Sequence, residues 1–368
     1  MPDPVVVCLA PPLRDFVYRL FQSVNAPADI AAETAEHLVN ANLSGHDSHG
    51  VIRIPQYFGL IEQGEIVPTA RPEVLRERAV AGLIDAHRGL GQFATAYALQ
   101  WAVERARTHG LASAAIRSCP HIGRLGEYTE RAARQGFITI VTVGVGGPGM
   151  GGTVLFGSRQ RFLGTNPWSI SVPARGRDPM VFDGASSAVA EGKVRFARSA
   201  RKPLPEGVIV DRDGRPTTDA EDFYRGGGLL PLGGTVAGHK GYGLAMASLL
   251  IGALAMIDAD EPYLWASTKS TITDRRGRAG GVFLLVLDPA CFGDAERYQA
   301  LVSEVLAAVK LAPPAVGVDE ILIPGEPEAR MRDRRSGEGI PIPAATWQEL
   351  ALVAERCKVG LPKAQAAA

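Results

Sequence analysis

Apolar and polar positions along the chain switch between two periods. After Pro27, the run ADIAAETAEHLVNANL puts Ile30, Thr34 and Leu38 on one stripe with Ala31, Ala35 and Val39 beside it. That is the 3.6-residue spacing of a helix with one apolar face. Pro55 suits the first turn of a second helix, PQYFGLIEQG, and Gly64 its end. The residues between, SGHDSHGVIR, therefore form a joint between two helices. Loops held by rigid elements are where catalytic side chains collect.

From about residue 78 the pattern becomes alternating. FATAYALQWAVERARTHG predicts a helix closed by Gly110, LASAAIR a strand, GEYTERAARQG a helix and FITIVTV a buried strand. WSISVP, PMVFD and GGVFLLVLD predict further strands, with helices near 185–200, 240–257 and 293–311. A short strand EILIPG and a last helix around TWQELALVAERC complete the chain. Strands alternating with helices imply a layered α/β fold, and the irregular spacing implies a mixed sheet. The expected division is an α/β domain over residues 78–309 and a helical domain built from residues 1–77 with 310–368.

Composition narrows the function classes. A chain of 368 residues has room for a large unit or two to three domains. Lys+Arg and Asp+Glu each number 39, so no overall field favours nucleic acid or an anionic membrane, and a small-molecule partner is expected. Cys8, Cys119, Cys291 and Cys357 stand far apart with no C-x-x-C spacing, which argues against a zinc knuckle or a disulfide framework. The start, MPDPVVVCLAPPLRD, lacks a basic region before its apolar run and makes a poor export signal. The apolar run from Gly241 to Ile257 carries three glycines and reads as a buried helix. The cytoplasm is the expected compartment.

GVGGPG, from Gly144 to Gly149, matches G-x-G-x-x-G after a strand, yet the rest of a Rossmann fingerprint is missing. Pro148 and GMGGTVLFGS offer no helical period to receive a pyrophosphate, and no acidic residue follows about 20 positions on. A flexible loop is the expectation there. Gly192-Lys193 lacks the surroundings of a P-loop. In GHKGYGLA, His239 and Lys240 precede an apolar run, so a cation and helix-terminal N–H groups would meet phosphate oxygens together. A basic cap on a buried helix is the competing account, and both stay open.

The joint SGHDSHGVIR holds the densest candidate chemistry. His49 suits proton transfer near neutral pH, and its neighbours Ser48 and Asp47 are able to fix its tautomer. Arg53 is able to grip a carboxylate through two parallel hydrogen bonds. Proton donor plus carboxylate clamp is what reduction of a 2-oxo acid requires, whereas a His-Arg pair at a helix junction also serves a purely structural role. His46 and His49 form H-x-x-H, but a zinc site wants a third ligand and no H-E-x-x-H accompanies them. His121, in CPHIGRLGEY, is a second proton carrier or a structural loop histidine. Asp183 ends a strand before small residues, open to a cofactor ring, or it caps a helix.

DSHGVIRIPQY, HIGRLGEY, LGTNPWSISVP, FDGASSAVAEGKV, LPEGVIVDRDGRPTTD, LPLGG, GHKGYGLA, GGVFLLVLDP and ILIPGE occur in the order and style of the type-2 malate/L-lactate dehydrogenase family, which the chain resembles from about residue 12 to 360. The resemblance implies an oxidoreductase using NAD or NADP in a non-Rossmann domain, acting as a homodimer with its active site near the subunit boundary. It also implies a small 2-oxo or 2-hydroxy acid as substrate. Carried over by motif, Ser48 and His49 are the proton-relay pair, Asp183 a relay partner, His121 a second acid/base group and Arg53 the substrate carboxylate ligand. His121, Ile122, Gly123, Arg124 and Leu125, then Gly164, Thr165, Asn166 and Pro167, with His239 and Lys240, are implied to line the dinucleotide. Reduction of a cyclic imine such as a piperideine- or pyrroline-2-carboxylate is the alternative inside the family. A zinc-dependent hydrolase using His46 and His49, or a catalytically inert dinucleotide-binding protein, is the alternative outside it.

Overall fold

The computed structural model describes residues 5–257 and 279–366. The helix after Pro27 spans Ala28–Leu43 and buries the stripe expected of it. Helix Ala10–Ser23, which starts with prolines in its first turn, packs beside it and buries Leu13, Phe16, Val17, Leu20 and Phe21. Together with helix Ile54–Glu62 and helix Ala344–Cys357 they enclose one hydrophobic cluster. A three-stranded sheet absent from the sequence expectations joins the two chain ends: Val5–Cys8 lies between Ile340–Pro343 and Gln365–Ala366, antiparallel to both.

A second cluster lies on a large mixed sheet. Its centre is strand Ile138–Gly146, which pairs antiparallel with Ala279–Leu287 on one side and with Trp168–Val172 on the other. Ala279–Leu287 continues to Leu111–Arg117, which runs parallel to Ala81–Asp85; the hairpin partner Glu73–Arg78 forms the edge. The sheet therefore begins a few residues before residue 78. Trp168–Val172 extends to Met180–Gly184. Helix Gly91–His109 and helix Leu125–Ala133 cover the sheet, and Gly110 caps the first as expected.

Two expectations need correction. Gly144 and Gly146 are not loop residues but the end of the central strand. Helix Gly234–Gly252 crosses that strand so closely that a Cβ on Gly144 would sit 2.2 Å from the Ser248 carbonyl oxygen. The glycines thus serve helix-to-strand packing, and the next regular element is the short strand Thr153–Val154. EILIPG is irregular, although the Pro324 carbonyl accepts the Val181 N–H at 3.0 Å. Behind it stands a helix the pattern did not reveal, Glu326–Glu338, polar on all sides and held by charge. Arg332 grips Glu130 through two bonds of 2.8 Å, and Arg335 grips Asp47. Among the described residues no helix is long and apolar enough to cross a membrane.

Candidate active site

Two successive 3₁₀ turns, Asp47–His49 and Val51–Arg53, make the joint between helices 28–43 and 54–62. Gly50 separates them, and a Cβ there would lie 2.1 Å from Asn42 Oδ1. Asn42 spends that oxygen on the Val51 N–H (2.9 Å), while its Nδ2 donates to Asp47 Oδ1 (2.7 Å). From the far end of the chain, Arg335 NH1 and NH2 reach Asp47 Oδ1 and Oδ2 at 2.7 and 3.0 Å. The turns are therefore held from both the helix that precedes them and helix 326–338.

In this frame Ser48 Oγ lies 2.9 Å from His49 Nδ1. Arg53 curls back, donating through Nε to the Ser48 carbonyl (2.6 Å) and through NH1 to Gln56 Oε1 (2.9 Å). Among the described residues the NH2 end of the fork has no protein acceptor, which leaves it for a carboxylate. His121 stacks on His49 with 5.5 Å between ring centroids and 22° between planes. Its Nδ1 is 2.7 Å from the Tyr57 hydroxyl, to which Gln92 Nε2 donates at 2.8 Å.

Both rings are half-buried at the cavity wall, and their surroundings set their charge. Burial, helped by Arg53, His46 and Arg124, pushes His49 down to about 3. Burial, helped by Arg53, His49 and His37, holds His121 well below the ordinary histidine range. Both imidazoles are neutral at neutral pH, beside an arginine that stays charged despite some lowering by burial. The free site thus presents a proton acceptor and a cation.

Ser48, His49 and Arg53 open onto a cavity of about 2050 Å³, whose wall also includes residues 121–125, residues 164–167 and Asp183. A drug-sized ligand usually takes about 300–1,000 Å³, so this space holds a larger cofactor together with a small substrate. Asp183 ends strand Met180–Gly184 and faces the start of helix Leu125–Ala133, where it accepts the Gly126 N–H at 2.7 Å and lies 3.8 Å from Arg124 Nε. It caps that distant helix, not the segment that follows it in sequence. Burial raises its pKa first of all, against the pull of Arg124 and the Gly126 N–H. Asn166 is buried with a left-handed backbone (φ 39°), and its amide is committed to the Val145 N–H (3.1 Å) and the Ala245 carbonyl (3.0 Å). It shapes the wall.

Not every expected residue reaches the cavity. His239 and Lys240 stand, as expected, in the first turn after the kink at Ala237 that divides helix 234–252, but they are exposed there and do not line this space. The His239 ring meets Phe156 edge-on at 5.9 Å. His46 Nε2 meets Glu328 Oε1 at 3.1 Å, and among the described residues no three His, Cys, Asp or Glu side chains gather to hold a metal ion. Four contributors escaped the sequence reading: Tyr57, Gln92, Asn42 and Arg335. Tyr57 carried a faint signal, one helical turn beyond Arg53. The cavity wall also includes the cations Arg161, Lys193 and Arg195.

Comparison with known proteins accords with this geometry. Residues 10–351 match the family described as malate/L-lactate dehydrogenase. The chain is 34% identical to an L-lactate dehydrogenase of Cupriavidus necator over 95% of its own length and 98% of the relative. It is 33% identical to a Δ1-pyrroline-2-carboxylate/Δ1-piperideine-2-carboxylate reductase of Pseudomonas putida, covering 92% of this chain and 93% of that protein. Sulfolactate dehydrogenase from Methanocaldococcus jannaschii superimposes with a TM-score of 0.85 at 30% identity, over 97% of this chain and 98% of that structure. The match extends over nearly the whole chain in sequence and in fold, and the chain belongs to the malate/L-lactate dehydrogenase family.

Proposed function

We propose that this family member, an oxidoreductase, moves a hydride between the nicotinamide of NAD or NADP and C2 of a small 2-oxo or 2-hydroxy acid, with the chemistry centred on His49. One observation carries the reading: Ser48, His49 and Arg53 sit on one pair of turns that open into a cavity large enough for a dinucleotide and a substrate. The wall fits such a cofactor. Lys193 and Arg195 supply cations for a pyrophosphate, and Ile122, Val143 and Val145 supply apolar surface for a ring. When bound, nicotinamide supplies or accepts the hydride.

The protein's own groups do the rest. Arg53 holds the substrate carboxylate and so orients C2. In oxidation, neutral His49 takes the hydroxyl proton; in reduction it must first gain a proton, which the anionic substrate beside it favours. Ser48 Oγ, bonded to His49 Nδ1, orients the ring. Asp183, on the same wall, serves as relay partner through the residues between. The same clamp and proton carrier serve a cyclic imine carboxylate, with nitrogen protonated in place of oxygen, and the likeness to the Pseudomonas putida reductase supports that second reading.

We infer further that a helical domain (residues 1–77 with 310–368), whose last strand Glu73–Arg78 already joins the large sheet, meets an α/β domain (78–309) at this cavity; the two separate hydrophobic clusters support the division. The working unit is a homodimer with its site near the subunit boundary, for which exposed Leu244, Leu250 and Leu254 are a suitable apolar surface. His239 and Lys240 then serve the cofactor across that boundary. A cytoplasmic location fits four unpaired cysteines. A panel of 2-oxo acids, 2-hydroxy acids and cyclic imine carboxylates, each with NADH or NADPH and their oxidised forms, tests the proposal through nicotinamide absorbance. Turnover of an oxo or hydroxy acid supports it, turnover of imines alone selects the second reading, and no absorbance change with any member sinks both.

A further inference from the structure

The geometry points to Tyr57 and Gln92 as positioning residues that set the tautomer of His121, leaving its single proton on Nε2. Gln92 Nε2 has only protons to offer, so its 2.8 Å contact makes the Tyr57 oxygen an acceptor. The phenol then has one proton to donate, and its neighbour at 2.7 Å is His121 Nδ1. Nδ1 must accept, and a neutral imidazole that accepts at Nδ1 carries its N–H on Nε2. Tyr57 is 1% and Gln92 0% exposed, so water does not relay or replace these bonds. Burial also raises the Tyr57 pKa, which keeps the phenolic proton in place. Among the described residues Gln92 Oε1 is buried without a hydrogen-bond partner, a cost that this orientation of the amide accepts.

The consequence divides the labour between the stacked imidazoles. His121 is a hydrogen-bond donor at Nε2 and cannot take a proton there; His49 is left as the group that takes the hydroxyl proton in oxidation. This division rests on the hydride-transfer reading, whereas the tautomer itself is measurable in the free protein.

Two-bond 1H–15N correlation spectra of the full-length protein labelled at histidine, with the His121 signals assigned by their loss in His121→Asn, read the tautomer without substrate. A protonated, pyrrole-like Nε2 and an unprotonated Nδ1 are expected; a protonated Nδ1 overturns the proposal. Tyr57→Phe removes the acceptor's partner, so mixed tautomers and a turnover about tenfold lower are expected, with cofactor affinity unchanged. A Tyr57→Phe protein that keeps the pure Nε2–H pattern overturns it as well. Because the spectrum needs no substrate, failure of the tautomer and failure of the dehydrogenase reading are told apart.

Discussion

His49 and His121 lie ring over ring, 5.5 Å apart, in a pocket that also holds the Arg53 guanidinium. Three groups that each gain or carry positive charge cannot all be charged in so little space, and burial settles the conflict in favour of the arginine. A carboxylate bound to Arg53 removes much of that opposition. Binding of an unreactive 2-oxo acid analogue to the cofactor complex should therefore take up protons, up to one per site. Titration calorimetry in buffers of different ionisation enthalpy measures this, and zero net uptake below pH 7 contradicts it.

Arg53→Ala should lower kcat/KM for carboxylate substrates about 10- to 100-fold, the worth of one charge-assisted contact, chiefly through KM. Arg53→Lys should recover only part, since a point charge lacks the paired donors of the fork. Steady-state kinetics decide; an unaltered KM removes Arg53 from the substrate site.

Arg335→Met should loosen the turns without touching the cavity chemistry directly. Among the described residues it leaves the Asp47 carboxylate, half in solvent, with the Asn42 amide. Losing those bonds costs about 1–3 kcal/mol of folding stability, and turnover should fall with it because His49 shares the turn. Urea unfolding paired with kinetics tests both, and unchanged stability rules out the brace.

His37, His49 and His121 are all held below their ordinary value by burial above all. The folded pKa values lie beneath those of the unfolded chain, so at pH below about 6.5 the unfolded chain binds more protons. Stability rises with pH through that window and is lost as pH falls, by about 1.4 kcal/mol per pH unit for each such histidine. Thermal midpoints should drop between pH 7 and 5, and His37→Gln, which removes one of the three, should flatten the drop. A midpoint that stays level contradicts the buried neutral state.

Helical and strand periods made the main architecture legible because their cause is local: Ile30, Leu38 and their stripe face a core wherever that core comes from. The joint was legible too, since Pro55 and Gly64 mark one helix and the stripe before residue 44 marks the other. What stayed hidden depends on contacts across the chain. Helix 326–338 has no apolar face, and the partners that hold it, Asp47 and Glu130, are about 200 to 290 positions away in sequence. Gln92 reads as one more polar residue at a helix start until the fold puts it on Tyr57. Gly144 and Gly146 matched a nucleotide motif, although their small size serves the crossing of helix 234–252.

The central claim is that His49 moves the proton while the cofactor is held elsewhere on the cavity wall. Turnover of His49→Ala against wild type, with cofactor affinity measured on the same preparations by fluorescence titration, tests it most directly. The account predicts a loss of about 10²–10⁴ in turnover with cofactor affinity within a factor of about two. Full turnover in His49→Ala would contradict it and pass the role to His121.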